Sequence, residues 1–227
     1  MKEILSEIRR KVKARDNGPA MDSMRKLGIN YKTIHGLSIE EIKRIAENYQ
    51  YHHELALELW NWDHREFKIL ATLIENPKTV SLEQIIEWSK AVENSELAEQ
   101  LAINLSFNTG KAQQIVPLSF QIENDFSKKS ACILLAWTAQ RSTNIPDSFF
   151  ARELQDTLSM INNSLQLSKG ISFAIRAIGK RNLYLNQQAI ATLKEIQKND
   201  SYNAKWIVED ALWELESDII QDRLTKS

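Results

Sequence analysis

Three carboxylates, Glu93, Glu96 and Glu99, surround the start of a helix that opens at Ser95. Glu96 and Glu99 are three apart, so they share one face close to the positive end of that helix. A surface-charge role fits such a pair as well as any chemistry does, and spacing alone does not single out a catalytic member. A second constellation lies in the run from Lys169 to Arg181. Lys169, Phe173, Arg176 and Lys180 recur at i, i+4, i+7 and i+11, which puts three cations and one ring on a single stripe, while Ile171, Ile175 and Ile178 fall on another. That stripe suits a phosphate backbone, with the ring pressed against a sugar or base. It equally suits a phenyl ring packed on a neighbouring helix among solvated cations. Lys128 and Lys129 fall where the first turn of a further helix is expected, against the dipole, at a cost of ~0.3 to 1 kcal/mol each. A bound anion would reverse that cost, because free backbone N–H groups at a helix start also attract phosphate; exposure to solvent is the plainer alternative.

Other chemistries find less support. His52, His53, Glu54 and Glu58 contain metal-binding types, but adjacent imidazoles point about 100° apart and do not reproduce the i, i+4 pair of a helical zinc site. They read as a polar helix start, and His64 beside Asp63 reads as part of a cap. No Ser-His-Asp arrangement, glycine-rich phosphate loop or Walker pattern occurs. The single cysteine, Cys132, allows neither an internal disulfide nor a cysteine-based zinc site, which suggests a reducing compartment. No metal or cofactor is expected.

The elements that must position these residues are helical almost throughout. Six glycines and four prolines in 227 residues are about a third of ordinary usage, so few, long elements are expected and a sandwich of many short strands is excluded. Ile4, Ile8 and Val12, with Arg9, Arg10, Lys11 and Lys13 opposite, predict an amphipathic basic helix that Gly18-Pro19 ends. Ser38 with Glu41 predicts a capping box, and Asp63 with Glu66 repeats the signature. Leu97, Leu101 and Leu105 give the inward stripe of a helix from 95 to 107. Pro117 predicts a kink or break within 111 to 122. Helices then follow at 126–139, 147–161, 166–179, 186–199 and 202–222. Pairs recur every 35 to 40 residues or so, as in helical-repeat proteins. The expectation is one all-α body over residues 1–227, an α-solenoid or an irregular bundle, with a concave face.

A formal net charge of −1 argues against binding a polyanion by bulk charge. The distribution is uneven, however. Residues 1–15 carry +4, 16–110 carry −6, 111–200 carry +4 and 201–227 carry −3. Two basic blocks are a hint of an anionic partner, and any grip must be local. With no secretory signal pattern and no long apolar stretch, a soluble cytoplasmic protein that does not engage membranes is expected.

Leu27-Gly28-Ile29, followed by Glu58-Leu59-Trp60-Asn61-Trp62-Asp63-His64-Arg65-Glu66-Phe67-Lys68 and Ala71, resembles the DNA alkylation repair family of alkylpurine DNA glycosylases. The likeness extends more weakly from about residue 20 to 200. It implies a superhelix of HEAT-like antiparallel helix pairs whose concave, basic face grips duplex DNA. Active members of that family hydrolyse the N-glycosidic bond of cationic alkylated purines such as 3-methyladenine and 7-methylguanine, using an aspartate that stabilises charge on the deoxyribose. The resemblance puts that aspartate at Glu99, the tryptophan before it at Ser95, an arginine at Lys129 and a later tryptophan at Phe173; an arginine one turn on is kept as Arg176. Glu96 is the competing carboxylate if the register slips. Lys128, Lys129, Lys169, Phe173, Arg176 and Lys180 form the expected DNA-binding set, with the basic N-terminal helix as a further contact. The departures leave open a catalytically inactive module that binds DNA structure, or another protein through its acidic segments.

Overall fold

The computed structural model describes residues 1–161, 164–198 and 202–226, with the side chains of 202–204 excluded. Its helices are α1 (Lys2–Lys13), α2 (Gly18–Lys26), α3 (Ile39–Ala46), α4 (His53–Trp60), α5 (Arg65–Ile74), α6 (Leu82–Lys90), α7 (Ser95–Gln100), α8 (Ala112–Phe120), α9 (Asp125–Arg141), α10 (Asp147–Ser159), α11 (Leu165–Gly179), α12 (Leu183–Ile196), α13 (Tyr202–Leu215) and α14 (Asp218–Thr225). No strand occurs among the described residues, and none of their helices is long and apolar enough to cross a membrane. The fold is all-α, as the periodicity predicts. Position 199, the end expected for α12, lies outside the described residues.

The chain forms two compact units, Met1–Ser81 with Val92–Thr109, and Leu82–Ala91 with Gly110–Ser227. In the first, α4 and α5 pack as a pair and α3 lies against α5. Ser38 and Glu41 form the expected capping box at the start of α3. Gly18-Pro19, expected only as a stop, also opens α2. Asn17 accepts from the Ala20 N–H there, and proline in a first turn forfeits no helical hydrogen bond. The Asp63–Glu66 cap does not form. His64 takes the N-cap position of α5 without a side-chain bond, and Glu66 turns inward to amides of another segment. After α7 the chain widens into a π-helical turn, Leu101–Ser106, that keeps Leu101 and Leu105 buried. Asn104 on this turn donates to Thr72 Oγ1 at 2.9 Å and to Gln100 Oε1 at 3.0 Å.

In the second unit α8 pairs with α9, α10 with α11 and α12 with α13, while α9 packs on α11 and α11 on α13. The helix α8 runs on through Pro117 without a break. Contacts repeat at a nearly fixed separation: Ser127 to Ser89 and Ser172 to Asp210 at 38 residues, Arg176 to Asp210, Lys180 to Glu214 and Arg181 to Asp147 at 34. This is the period expected of stacked helix pairs, written in side-chain contacts rather than in sequence identity. Glycines permit close approach of neighbouring helices in the same unit. A Cβ on Gly170 would come within 3.1 Å of Lys129 Cγ, and one on Gly179 within 2.7 Å of Leu215 Cδ1. The single helix expected over 202–222 is two. The Leu215 carbonyl, which a continuing helix would use, instead accepts from Asn186 Nδ2 at 3.3 Å and Gln221 Nε2 at 2.6 Å, and α14 restarts at Asp218.

Candidate nucleic-acid interface

The segment that carries the family likeness is a buried keystone. Arg65 and Glu66, both 1% exposed, open α5 beside the equally buried Phe67. Arg65 forks onto Glu96, with Nε and Nη2 each 2.7 Å from a carboxylate oxygen, and its Nη1 donates to the Leu37 carbonyl at 2.7 Å and to Glu66 at 3.0 Å. Glu66 in turn accepts from the backbone N–H groups of His35, Gly36 and Leu37 at 3.0 to 3.3 Å. Gly36 makes this approach possible, since its φ of +77° is left-handed and a Cβ there would lie 2.5 Å from the Asn17 carbonyl oxygen. Two carboxylates, one guanidinium and a backbone nest thus tie the 33–38 segment to α5 and α7.

This arrangement separates the two candidate carboxylates. Glu96 is committed to Arg65, whereas Glu99 is exposed one turn later on α7. Ser95 is half-buried in the first turn of α7, which Asn94 caps by accepting from the Leu97 N–H at 2.9 Å. Lys68, on α5, lies 4.9 Å from the centre of the Trp60 ring, and its partial burial lowers its pKa. At the N-terminus the Arg9 guanidinium stacks 4.2 Å above Trp62, so one cation of the basic helix α1 already rests on this unit.

In the second unit the expected DNA-binding residues fall on α9 and α11. Lys128 and Lys129 are half-exposed, Lys169 is exposed and Phe173 is half-exposed. The side chain of Lys129 crosses α11 at Gly170, the residue after Lys169, which brings the two lysine-bearing turns together. The lysines do not occupy the first turn of α9, however. Asn124 caps that helix, accepting from the Phe126 and Ser127 N–H groups at 2.9 and 3.4 Å, Asp125 offsets the dipole, and the Lys128 N–H is already bonded to the Asn124 carbonyl. The amides of this helix start that a bound anion would use are therefore already partnered within the chain, and the two lysines stand one turn on along α9.

Arg176 and Lys180 are not simply solvated. Arg176 Nη1 lies 2.7 Å from Asp210 and its Nε 2.8 Å from Glu214, and Lys180 Nζ lies 2.5 Å from Glu214. Ser172 adds a 2.6 Å hydrogen bond to Asp210. The basic stripe thus splits into an outward half, Lys169 and Phe173, and a half that clamps α11 to α13.

Of the remaining polar candidates, His52 accepts from the Leu55 N–H as the cap of α4 and His53 pairs with buried Glu75 at 2.9 Å. Burial pushes the Cys132 thiol up to about 12, which keeps it protonated and inert.

One feature has no counterpart among the expected residues. Arg141 stacks 3.8 Å above the Trp137 ring at the end of α9, beside a cleft of about 800 Å³ that Lys180, Arg181 and Arg223 also line. The signal for the stack is in the sequence: a cation four residues after a tryptophan on one helix face.

A family model described as DNA alkylation repair enzyme matches residues 8–215. No curated protein matches the chain. Among solved structures the chain is similar to one from "a new family of proteins related to the HEAT-like repeat DNA glycosylases with affinity for branched DNA structures". The two share 16% identity over 96% of this chain and 95% of that one, with a TM-score of 0.73. The shared fold is a HEAT-like helical repeat, and the match through both compact units places the family beyond the Trp60–Phe67 segment alone. The chain belongs to the DNA alkylation repair family.

Proposed function

We propose that this protein binds duplex DNA through phosphates, using Lys128 and Lys129 on α9 with Lys169 and Phe173 on α11. The observation that carries the reading is the crossing of Lys129 over Gly170, which gathers the lysine-bearing turns of two helices in a member of a DNA repair family. Arg176 and Lys180 contribute by holding α11 to α13, with their charge largely offset by Asp210 and Glu214. The family match spans 8–215, which supports treating residues 1–227 as one functional body. The lone buried Cys132 suits a cytoplasmic setting. Counterion release predicts the test. With about three phosphate contacts, affinity for an undamaged duplex should fall roughly 40-fold between 50 and 200 mM salt. Lys129→Gln should flatten that slope by close to one contact; an unchanged slope, or no duplex binding at low salt, sinks the assignment.

Within this reading Glu99 is the catalytic candidate. It is exposed and uncommitted to Arg65, and a carboxylate beside an oxocarbenium-like sugar stabilises the transition state more than the ground state. Release of 3-methyladenine or 7-methylguanine from methylated duplex DNA should drop at least about tenfold in Glu99→Gln, because the neutral amide loses the charge while keeping the shape. Equal release by the two proteins removes Glu99 from the mechanism. The commitment of Glu96 to Arg65 and the serine at 95 favour a second reading, a module that recognises DNA structure without cleaving it. The affinity of the structural neighbour's family for branched DNA supports that reading. In that case no base is released at all, and a junction competes more strongly than a linear duplex of equal length.

A further inference from the structure

From the cleft at the ends of α9 and α11 we infer a site for a phosphate monoester, either the terminal phosphate of a DNA strand or a free mononucleotide. The cleft encloses about 800 Å³, ample for a phosphate with its sugar and base. Its charged lining comprises Arg141, Lys180, Arg181 and Arg223 against Asp147 and Glu214, a surplus of two positive charges. That surplus matches the dianion of a monoester better than the single charge of an internal phosphodiester.

The lining is also arranged so that its negative groups are already occupied. Asp147 accepts from Arg181 Nε at 3.2 Å and from Asn182 Nδ2 at 2.7 Å, and Glu214 lies against Lys180 and Arg176. The carbonyl ends of the helices would repel an anion, yet they are covered as well. Arg181 donates to the carbonyls of Ala139, Ser142 and Ile145 at 2.7 to 3.1 Å, and Arg223 donates to that of Lys180 at 2.7 Å. Arg181 is thereby a structural clamp, and the guanidinium left to meet a ligand is that of Arg141. Stacking on Trp137 and a 3.2 Å bond to Gln140 hold its planar fork in place, which reduces the ordering cost of gripping phosphate oxygens. Ser142 and Thr143 add hydroxyl donors to the same wall.

The DNA source rests on the duplex-binding function proposed above; the mononucleotide source does not. A hairpin duplex with one blunt end and a fluorophore in its loop tests both, as the 5′-phosphate and as the 5′-hydroxyl form, with deoxyadenosine monophosphate titrated separately by calorimetry. Wild-type protein should bind the phosphorylated hairpin at least about tenfold more tightly, the worth of one charge-assisted contact. Arg141→Gln should erase the preference, while Lys226→Gln, a cation outside the cleft, should keep it. If both hairpins bind alike but the mononucleotide binds and Arg141→Gln abolishes this, the free monoester is the ligand. If the mononucleotide binds and neither hairpin does, the cleft assignment stands and duplex binding falls. Equal hairpin affinities with no mononucleotide binding, or a preference that survives Arg141→Gln, overturn the assignment.

Discussion

Replacing Arg65 by alanine should destabilise the protein by ~3–5 kcal/mol, the cost of removing one partner from a buried ion pair. The side chain is 1% exposed and bonds Glu96 with two nitrogens, the Leu37 carbonyl with a third and Glu66 through that same third nitrogen. Its loss would strand the wholly buried Glu66 carboxylate and the mostly buried Glu96, and would open a hole at the largest fully buried side chain among the described residues. Arg65→Lys keeps the charge but cannot fork onto Glu96 while reaching Leu37, so it should fall between wild type and Arg65→Ala. Urea unfolding followed by far-UV circular dichroism reads the difference from midpoint and slope. A loss under about 1 kcal/mol for Arg65→Ala would mean that the network is not a keystone.

The same residues show what the sequence can and cannot convey. Helix existence, the Ser38–Glu41 cap and the Leu97–Leu101–Leu105 stripe are legible because each depends on neighbours within one or two turns. Glu66 misleads for the converse reason. Its spacing from Asp63 is that of a cap, but three amides of the 35–37 segment and a buried guanidinium offer a charged acceptor more than one helix end does. Periodicity likewise places Arg176 and Lys180 on a face without telling what stands opposite. Asp210 and Glu214 do, 34 residues on, and Arg181 meets Asp147 at the same separation. A repeat protein puts position i beside its equivalent in the next repeat, so opposite charges one period apart are the readable sign of a clamp rather than of a free basic stripe. Lys128, Lys129 and Lys169 have no acidic residue 34 positions further on, where Asn162, Asn163 and Asn203 stand. The sequence pattern thus separates these three lysines from the clamp residues Arg176, Lys180 and Arg181.

Acid should destabilise the protein through His64, and removing that imidazole should abolish the effect. The ring is buried, stacks on Phe67 with 3.8 Å between centroids and lies 5.0 Å from the His35 ring. Burial, then the nearby charges of His35 and Arg9, lower its pKa to about 3, and Glu66 at 3.4 Å does not reverse this because its oxygens already serve the three amides and Arg65. The unfolded chain has an ordinary imidazole near pH 6.5, so below that pH it binds a proton that the folded protein refuses. The stabilisation is therefore complete above about pH 6.5 and is lost as the pH falls towards 3, by roughly 2 kcal/mol at pH 5 and nearly twice that at pH 3.5. His64→Gln keeps a polar side chain of similar reach with nothing to titrate. The difference in unfolding free energy between wild type and this variant should thus shrink as pH drops from 7 to 5, or change sign, whatever the variant costs at neutral pH. Urea titrations at pH 7, 6 and 5 measure it, and a difference that stays constant to within ~0.5 kcal/mol would mean that His64 takes up its proton in the folded state.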